Sequence, residues 1–290
     1  FHGAVYSVVE AAAKMVALGG RADKVRLTFQ EYFESLGKDP EKWGNPFAAL
    51  LGALWAQHQL TIPAIGGKDS MSGTFAHIHV PPTLAAFAVD VLPADRAVSA
   101  EFKYPGNKVY VVPCHKDSQD LPRFDQLNKN FAAISKLTAE KKVFAAKSVG
   151  IGGIAAAITK MCLGNNVGFK FTKTVSHDDL FCPDYGTILL EVAANAKLDE
   201  ELKETGCYEL GETTAVPSVV CGASVVSLQE CTQAYTKPLE KIFPTKVTRK
   251  TREQALWRPY TKGPALKGQT HLAKPRVFIP VFPGTNCEYD

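Results

Sequence analysis

The chain has 290 residues, 46% hydrophobic and 21% charged, the balance of an ordinary globular protein. That balance excludes a chain disordered throughout, and no apolar run reaches the roughly 18 residues that a membrane span requires. The net charge of +4 is uneven: Lys246 to Arg276 holds nine Lys/Arg and one acid, +8, so the rest carries 4 − 8 = −4. The basic stretch mixes Pro, Trp and Thr and has no dense basic block. It reads as a solvated linker lying on acidic neighbouring domains rather than as a nucleic-acid arm.

The elements alternate along the chain. "GAVYSVVEAAAKMVALGG" places Val5, Val8, Val9, Ala12, Met15 and Val16 at helical spacing and stops at Gly19 and Gly20. "KVRLTFQEYF" reads as a short strand or a strand-to-helix passage. "NPFAALLGALWAQHQL" reads as a helix with Asn45 as N-cap and Pro46 at its first position. "TIPAI" is expected as a buried strand, followed by a loop, "GGKDSMSG", and then the strand "TLAAFAVDV". A second unit opens with the turn "EFKYPG" and the strand "NKVYVVPC". Then come a helix in "LPRFDQLNKNFAAISKLTAE", strand into loop in "KVFAAKSVG", and a helix in "GIAAAITKMCLG". The strands "VGFKF" and "GTILLEVA", a short helix in "LDEELKETG" and a strand pair in "VVCGASVVSL" complete it. This order implies α/β or α+β layers, not a bundle or a sandwich. The tail "PRVFIPVFPGTNCEYD" reads as the first strand of a further α/β domain. Both ends read as cut from a longer protein, and no signal peptide precedes the first helix.

Cys114, Cys162, Cys182, Cys207, Cys221, Cys231 and Cys287 are scattered and never in C-x-x-C spacing. That argues against a disulfide framework and a thiolate zinc site, and makes a reducing cytoplasm the expected setting. His77 and His79 in "AHIHV" are expected on one strand face, where a metal pair lacks a third ligand.

"AIGGKDSMSGTF" invites a phosphate. Gly66 and Gly67 let a backbone come close, Lys68 supplies charge, and Ser70 and Ser72 supply hydroxyls. Asp69 could hold magnesium. The glycines are adjacent, so the stretch is not a P-loop, and a polar turn is the competing reading.

"IGGKDSMSGTF", followed some two hundred residues later by "PRVFIPVFPGTNCEYD", resembles the phosphoribosylformylglycinamidine synthase family. These are purine-biosynthetic enzymes with a synthase core and a glutamine amidotransferase domain. The resemblance implies two aminoimidazole-ribonucleotide-synthetase-like units, the first incomplete. Residues 1–98 would be a partial ATP-binding-type domain, 99–245 a synthetase C-terminal-like domain, 246–272 a linker, and 273–290 the start of the amidotransferase domain. It further implies a ligase that uses ATP, Mg2+ and glutamine, activates a substrate amide oxygen as an iminophosphate, and displaces phosphate with ammonia. Its partners would be the remaining domains of the same polypeptide and small-molecule substrates, with neither nucleic acid nor membrane. The working-site residues would lie outside this chain, so no catalytic residue is assigned within it. Cys287 belongs to the opening strand-turn of the amidotransferase part and receives no catalytic role.

In such enzymes one half of the core works, and the other keeps a pseudo-symmetric site that in some members holds a nucleotide and magnesium. Family members place a Glu and an Asn four apart on the early helix, with an H-D-x-S-D-G-G loop later. Here Glu10 matches the acid, but Lys14 stands where Asn is expected. In "AKSVGIGGI", Lys147 replaces His, Ser148 replaces Asp, Gly150 replaces Ser and Ile151 replaces Asp, while Gly152 and Gly153 match. Glu10 is thus a poor lone metal ligand and an i,i+4 partner for Lys14. The pocket is expected to be closed by that contact or occupied at most by an anion near Gly152 and Gly153, so that no magnesium nucleotide is held tightly. Two alternatives follow: a different ATP-dependent enzyme of the same superfamily, or a non-catalytic scaffold half.

Overall fold

The computed structural model describes residues 1–196, 198, 202–246, 274 and 276–282. Helix α1 (His2–Ala17) is buried on more than one side, at Ala4, Val5, Val8, Ala11, Ala12 and Val16 among others. A helix apolar nearly all round needs partners on several faces. It finds them in a three-stranded sheet, in a second helix and in the body of the 108–236 region.

The three-stranded sheet has the order β2-β1-β5, from β1 (Arg26–Tyr32), β2 (Ala64–Ser70) and β5 (Thr83–Val89). β1 pairs with β2 in parallel and with β5 antiparallel, so β2 is an edge strand. The crossover between β1 and β2 is helix α2 (Pro40–Leu60). It begins earlier than Asn45: Asp39 is the N-cap, its carboxylate accepts from the Glu41 amide at 2.9 Å, and Pro40 takes the first position. Pro46 then lies inside the helix. The chain holds two Asx-Pro pairs, Asp39-Pro40 and Asn45-Pro46, and the helix starts at the first, where the Trp43 indole donates to the Gly37 carbonyl at 3.1 Å. A small hairpin, β3 (Thr74–Phe75) with β4 (Ile78–His79), links β2 to β5.

The larger sheet has seven strands in the order β12-β11-β8-β10-β6-β9-β7. These are β6 (Lys108–Val112), β7 (Val143–Ser148), β8 (Gly168–Phe171), β9 (Ile188–Val192), β10 (Tyr208–Thr214), β11 (Ser218–Cys221) and β12 (Ser224–Ser227). All neighbours are antiparallel except β11 and β8. Helix α3 (Phe124–Ala139), with α1, covers one face. Helices α4 (Gly153–Leu163) and α6 (Leu228–Thr236) lie on the other, where a short α5 (His177–Phe181) also packs on α4. Buried on both faces, β9 shows the period of two directly: Ile188, Leu190 and Val192 enter one core, Leu189 the other. The fold is therefore mixed α/β, as the alternation of elements implied.

Glu191, on the Leu189 side of β9, is fully buried. Its carboxylate accepts from the amides of Lys103 and Tyr104 at 2.9 and 3.2 Å and from the Asn107 side chain at 2.7 Å. The "EFKYPG" turn is thereby tied to β9, the strand next to the sheet edge.

Residues Phe1–Ile242 form one compact unit and Phe243–Asp290 another. In the second unit, Arg276–Phe282 carry no strand, contrary to the expectation for "PRVFIPVF". Strand-like composition does not by itself make a strand, which also needs a neighbouring strand to complete its ladder. The basic stretch at 247–273 and Cys287 lie outside the described residues, as do residues 199–201 of "LDEELKETG". No disulfide links the six described cysteines.

Candidate functional site

The stretch chosen for phosphate is not a loop. Residues 64–70 are β2 itself, and Ile62 and Pro63 only lead into it. Parallel pairing with β1 draws the glycines and Lys68 into the ladder. Alternation then divides the side chains. Lys68 and Ser70 pair opposite Gln30 and Tyr32, and with Gly66 they share the outer face with Phe87. Gly67 and Asp69 belong to the opposite face. There Asp69 lies across from Glu31, whose carboxyl is raised above its usual range, first by burial and then by the Asp69 charge. Lys68 and Asp69 therefore do not converge on one ligand. Gly66 has open space where a side chain would be, whereas a Cβ on Gly67 would stand 2.9 Å from the Phe29 carbonyl oxygen. The Ser70 and Ser72 hydroxyls lie 3.4 Å apart. A shallow cleft of about 460 Å³ beside Lys68 is walled by Thr28, Phe29, Gln30 and Phe87.

The second candidate is assembled from distant segments. The Ser148 hydroxyl at the end of β7 donates to Glu10 Oε1 of α1 at 3.0 Å, across 138 positions. Lys14 Nζ stands 3.4 Å from the same oxygen. Gly150 follows at once, and a side chain there would meet Glu10 Oε1 and the Tyr185 ring, each at 3.7 Å. Glu10 Oε2 is buried with no hydrogen-bond partner. Burial raises the Glu10 carboxyl above its usual value, opposed by Lys14, by the Ser148 hydroxyl and by Lys147. Burial, then Lys160 and Lys14, hold the Lys147 ammonium below its usual value.

The Glu10–Lys14 contact forms, yet the pocket is not closed. A cleft of about 520 Å³ lies between α1 and β5, lined by Tyr6, Ser7, Glu10, Lys14, residues 84–88 and Tyr185. Magnesium requires near-octahedral oxygen ligation, usually with carboxylates and phosphate oxygens. Glu10 offers one carboxylate, and one of its oxygens is already engaged by an ammonium and a hydroxyl. The residues present do not fit the ion. Among the described residues no group of three His, Cys, Asp or Glu side chains could hold a metal.

Because Glu10 is raised, its protonated form stabilises the folded state. That contribution is whole below the ordinary value of 4.5 and is lost as pH rises through the raised folded value. In urea titrations from pH 4 to 8, Glu10→Gln is expected to gain stability relative to the parent as pH rises, then level off. A pH-independent difference would show that burial does not govern this group.

Gly152 and Gly153 have φ of +87° and +64° at the start of α4. A side chain on Gly153 would meet the Leu180 and Cys182 carbonyl oxygens at 2.4 and 2.8 Å. Close backbone approach accounts for that glycine without any ligand. His77 lies in the turn of the β3–β4 hairpin and not on the strand with His79. His79 Nδ1 stands 3.3 Å from Glu34 and 3.1 Å from the Thr74 hydroxyl.

Two cleft residues were not picked out from sequence. Tyr6 precedes Glu10 by four and Lys14 by eight, so helical spacing alone would have found it. Its hydroxyl donates to the Asp120 carbonyl at 2.6 Å, and burial holds it protonated well past neutrality. Tyr185, whose ring centroid is 6.1 Å from that of Tyr6, sits in a loop with no local signal. Nearby, Lys116 pairs with Asp184 at 3.3 Å.

No protein-family model matches the chain. The PurL subunit of phosphoribosylformylglycinamidine synthase from Pyrobaculum aerophilum is 29% identical over 145 residues, covering 44% of this chain and 21% of that protein. Thermotoga maritima PurL complexed with AMPPCP superposes with a TM-score of 0.60 at 16% identity, over 79% of this chain and 41% of that one. The hydrogenase maturation protein HypE in complex with ATP superposes at 0.57 and 12% identity, over 78% of both chains. The chain thus spans about a fifth of the curated relative and two fifths of the solved PurL. Among the described residues no helix is long and apolar enough to cross a membrane. In sequence and in fold, this chain is similar to part of phosphoribosylformylglycinamidine synthase.

Proposed function

We propose that the chain is a section of an ATP-dependent carbon–nitrogen ligase of purine biosynthesis. The complete enzyme would take formylglycinamide ribonucleotide, ATP and glutamine to formylglycinamidine ribonucleotide, ADP, phosphate and glutamate. The observation that carries this reading is the agreement of two likenesses, one of sequence and one of fold, on PurL. The division follows the resemblance: a partial ATP-binding-type domain over 1–98, a synthetase C-terminal-like domain over 99–245, a linker, and the start of a glutaminase domain. The partners are the remaining domains of that enzyme, and its setting is the cytoplasm. Lys68 and Ser70, on the outer face of β2, and Ser72, just beyond its end, are the groups proposed to meet a phosphate. Positioned cations and hydroxyls suit phosphoryl chemistry, which needs no side-chain nucleophile.

A second reading is that this section is a non-catalytic half supporting the working one. The lone carboxylate at Glu10, one oxygen of which is already engaged by Lys14 and Ser148, favours it. The two readings agree on one assay. Supplied with ATP, magnesium, formylglycinamide ribonucleotide and ammonium, the chain alone is expected to give no product. Turnover should appear when the remaining synthase domains are joined to it. Product from the chain alone would overturn the division of labour. Inactivity of the assembled protein toward this substrate would overturn the assignment.

A further inference from the structure

Helix α2 buries its small apolar residues and exposes its large ones. The buried positions include Pro46, Gly52, Ala53 and Ala56, and a Cβ on Gly52 would stand 2.3 Å from the Phe1 carbonyl oxygen. Trp43, Phe47, Leu50, Leu51 and Leu54 are each between 41% and 62% exposed. At the helical period these five fall within an arc of about 100°, on the side away from the buried residues. A solvated helix face is ordinarily polar, yet no charged side chain stands anywhere from Trp43 to Gln57. The steps of four, three and four from Trp43 through Phe47 and Leu50 to Leu54 are those of a seam that packs on another helix.

We propose that α2 is the surface through which this chain pairs with a second copy of itself, the two helices running antiparallel about a two-fold axis at Leu50 and Leu51. The stripe is complementary to itself in that direction. Aromatic side chains occupy its N-terminal half and leucines its C-terminal half. A two-fold there sets Phe47 against Leu54 and Trp43 against His58, large against small, where a parallel pair would set Trp43 on Trp43 and Phe47 on Phe47. Charge agrees with the reversal. Asp39 caps the first turn, which also holds Glu41, and His58 lies in the last, so the acidic end of each helix meets the histidine end of its partner and the helix dipoles oppose. Five side chains from each copy bury on the order of 1,000 Å² in all, the low end for a specific interface, so the dissociation constant is expected in the range of about 1–100 µM. The inference rests on α2 alone and does not depend on the reading of the chain as part of a ligase.

The test is sedimentation equilibrium of the 290-residue chain from low micromolar to several hundred micromolar. The parent is expected to show a monomer–dimer equilibrium that closes at two. Leu50→Glu places two carboxylates at the axis and is expected to weaken pairing about tenfold or more. Its melting temperature at a dilution where the parent is monomeric should match the parent, because Leu50 is exposed. Phe47→Glu and Leu54→Lys are each expected to pair poorly alone and to form a heterodimer when mixed, since positions 47 and 54 oppose each other across the axis. A parent that stays monomeric throughout would overturn the proposal. So would association that grows past the dimer, a dimer unaffected by Leu50→Glu, or a mixture of the two charged variants that pairs no better than either alone.

Discussion

Glu191→Ala is expected to cost about 3–5 kcal/mol of folding stability, the largest single-residue effect outside the apolar cores. The carboxylate is fully buried and accepts from Lys103 N, Tyr104 N and Asn107 Nδ2. Alanine would strand three donors, and each buried donor left without an acceptor costs about 1–3 kcal/mol, less whatever an entering water restores. Glu191→Gln keeps one acceptor oxygen but turns an amide toward the other donors, so its loss should be smaller. For a unit of this size about 2–4 °C is lost per kcal/mol, placing the alanine variant on the order of 10 °C below the parent in a thermal melt. A shift under about 2 °C would mean that the 103–107 turn holds without Glu191.

Lys68→Ala in the assembled enzyme is expected to weaken a phosphate-bearing ligand by roughly tenfold to a hundredfold, the equivalent of a charged hydrogen bond of about 1.5–3 kcal/mol. Lys68 is exposed on an edge strand and opposite Gln30, so its removal opens no cavity and should leave the melting temperature unchanged. Asp69→Asn should differ. Asp69 lies on the other face and raises Glu31, so the change should lower the Glu31 carboxyl toward its ordinary range without weakening the ligand. Michaelis constants for ATP and for formylglycinamide ribonucleotide that stay unchanged in Lys68→Ala would reduce the stretch to an edge strand with no ligand.

Much of the architecture was legible because its signals are local. The helical spacing of Val5, Val8, Ala12 and Val16 marks α1, and the run "KVYVV" marks β6, since both periods follow from backbone geometry alone. β10 was not legible. "YELGETT" contains Gly211 and two glutamates, a poor strand composition, yet it runs through the middle of the sheet between β8 and β6. Its place is set by its neighbours: a side chain on Gly211 would meet the Lys170 carbonyl at 2.2 Å, so a residue that weakens a strand in isolation is the one that fits here. β2 was misread for a related reason. Glycines beside Lys and Asp look like a loop until a parallel partner, β1, supplies hydrogen bonds.

The sequence by itself determined the mixed α/β class, most of the element order and the resemblance to phosphoribosylformylglycinamidine synthase. It also marked Glu10 as an acid with a lysine one turn away. These are properties of spacing along one chain. Tertiary structure decided what spacing cannot reach: that Ser148, 138 positions on, closes onto Glu10, and that Tyr185 packs against Tyr6 in the lining of a cleft that stays open. It also decided that Lys68 and Asp69 point to opposite faces, because a residue's side in a strand is settled only when a neighbouring strand fixes the register.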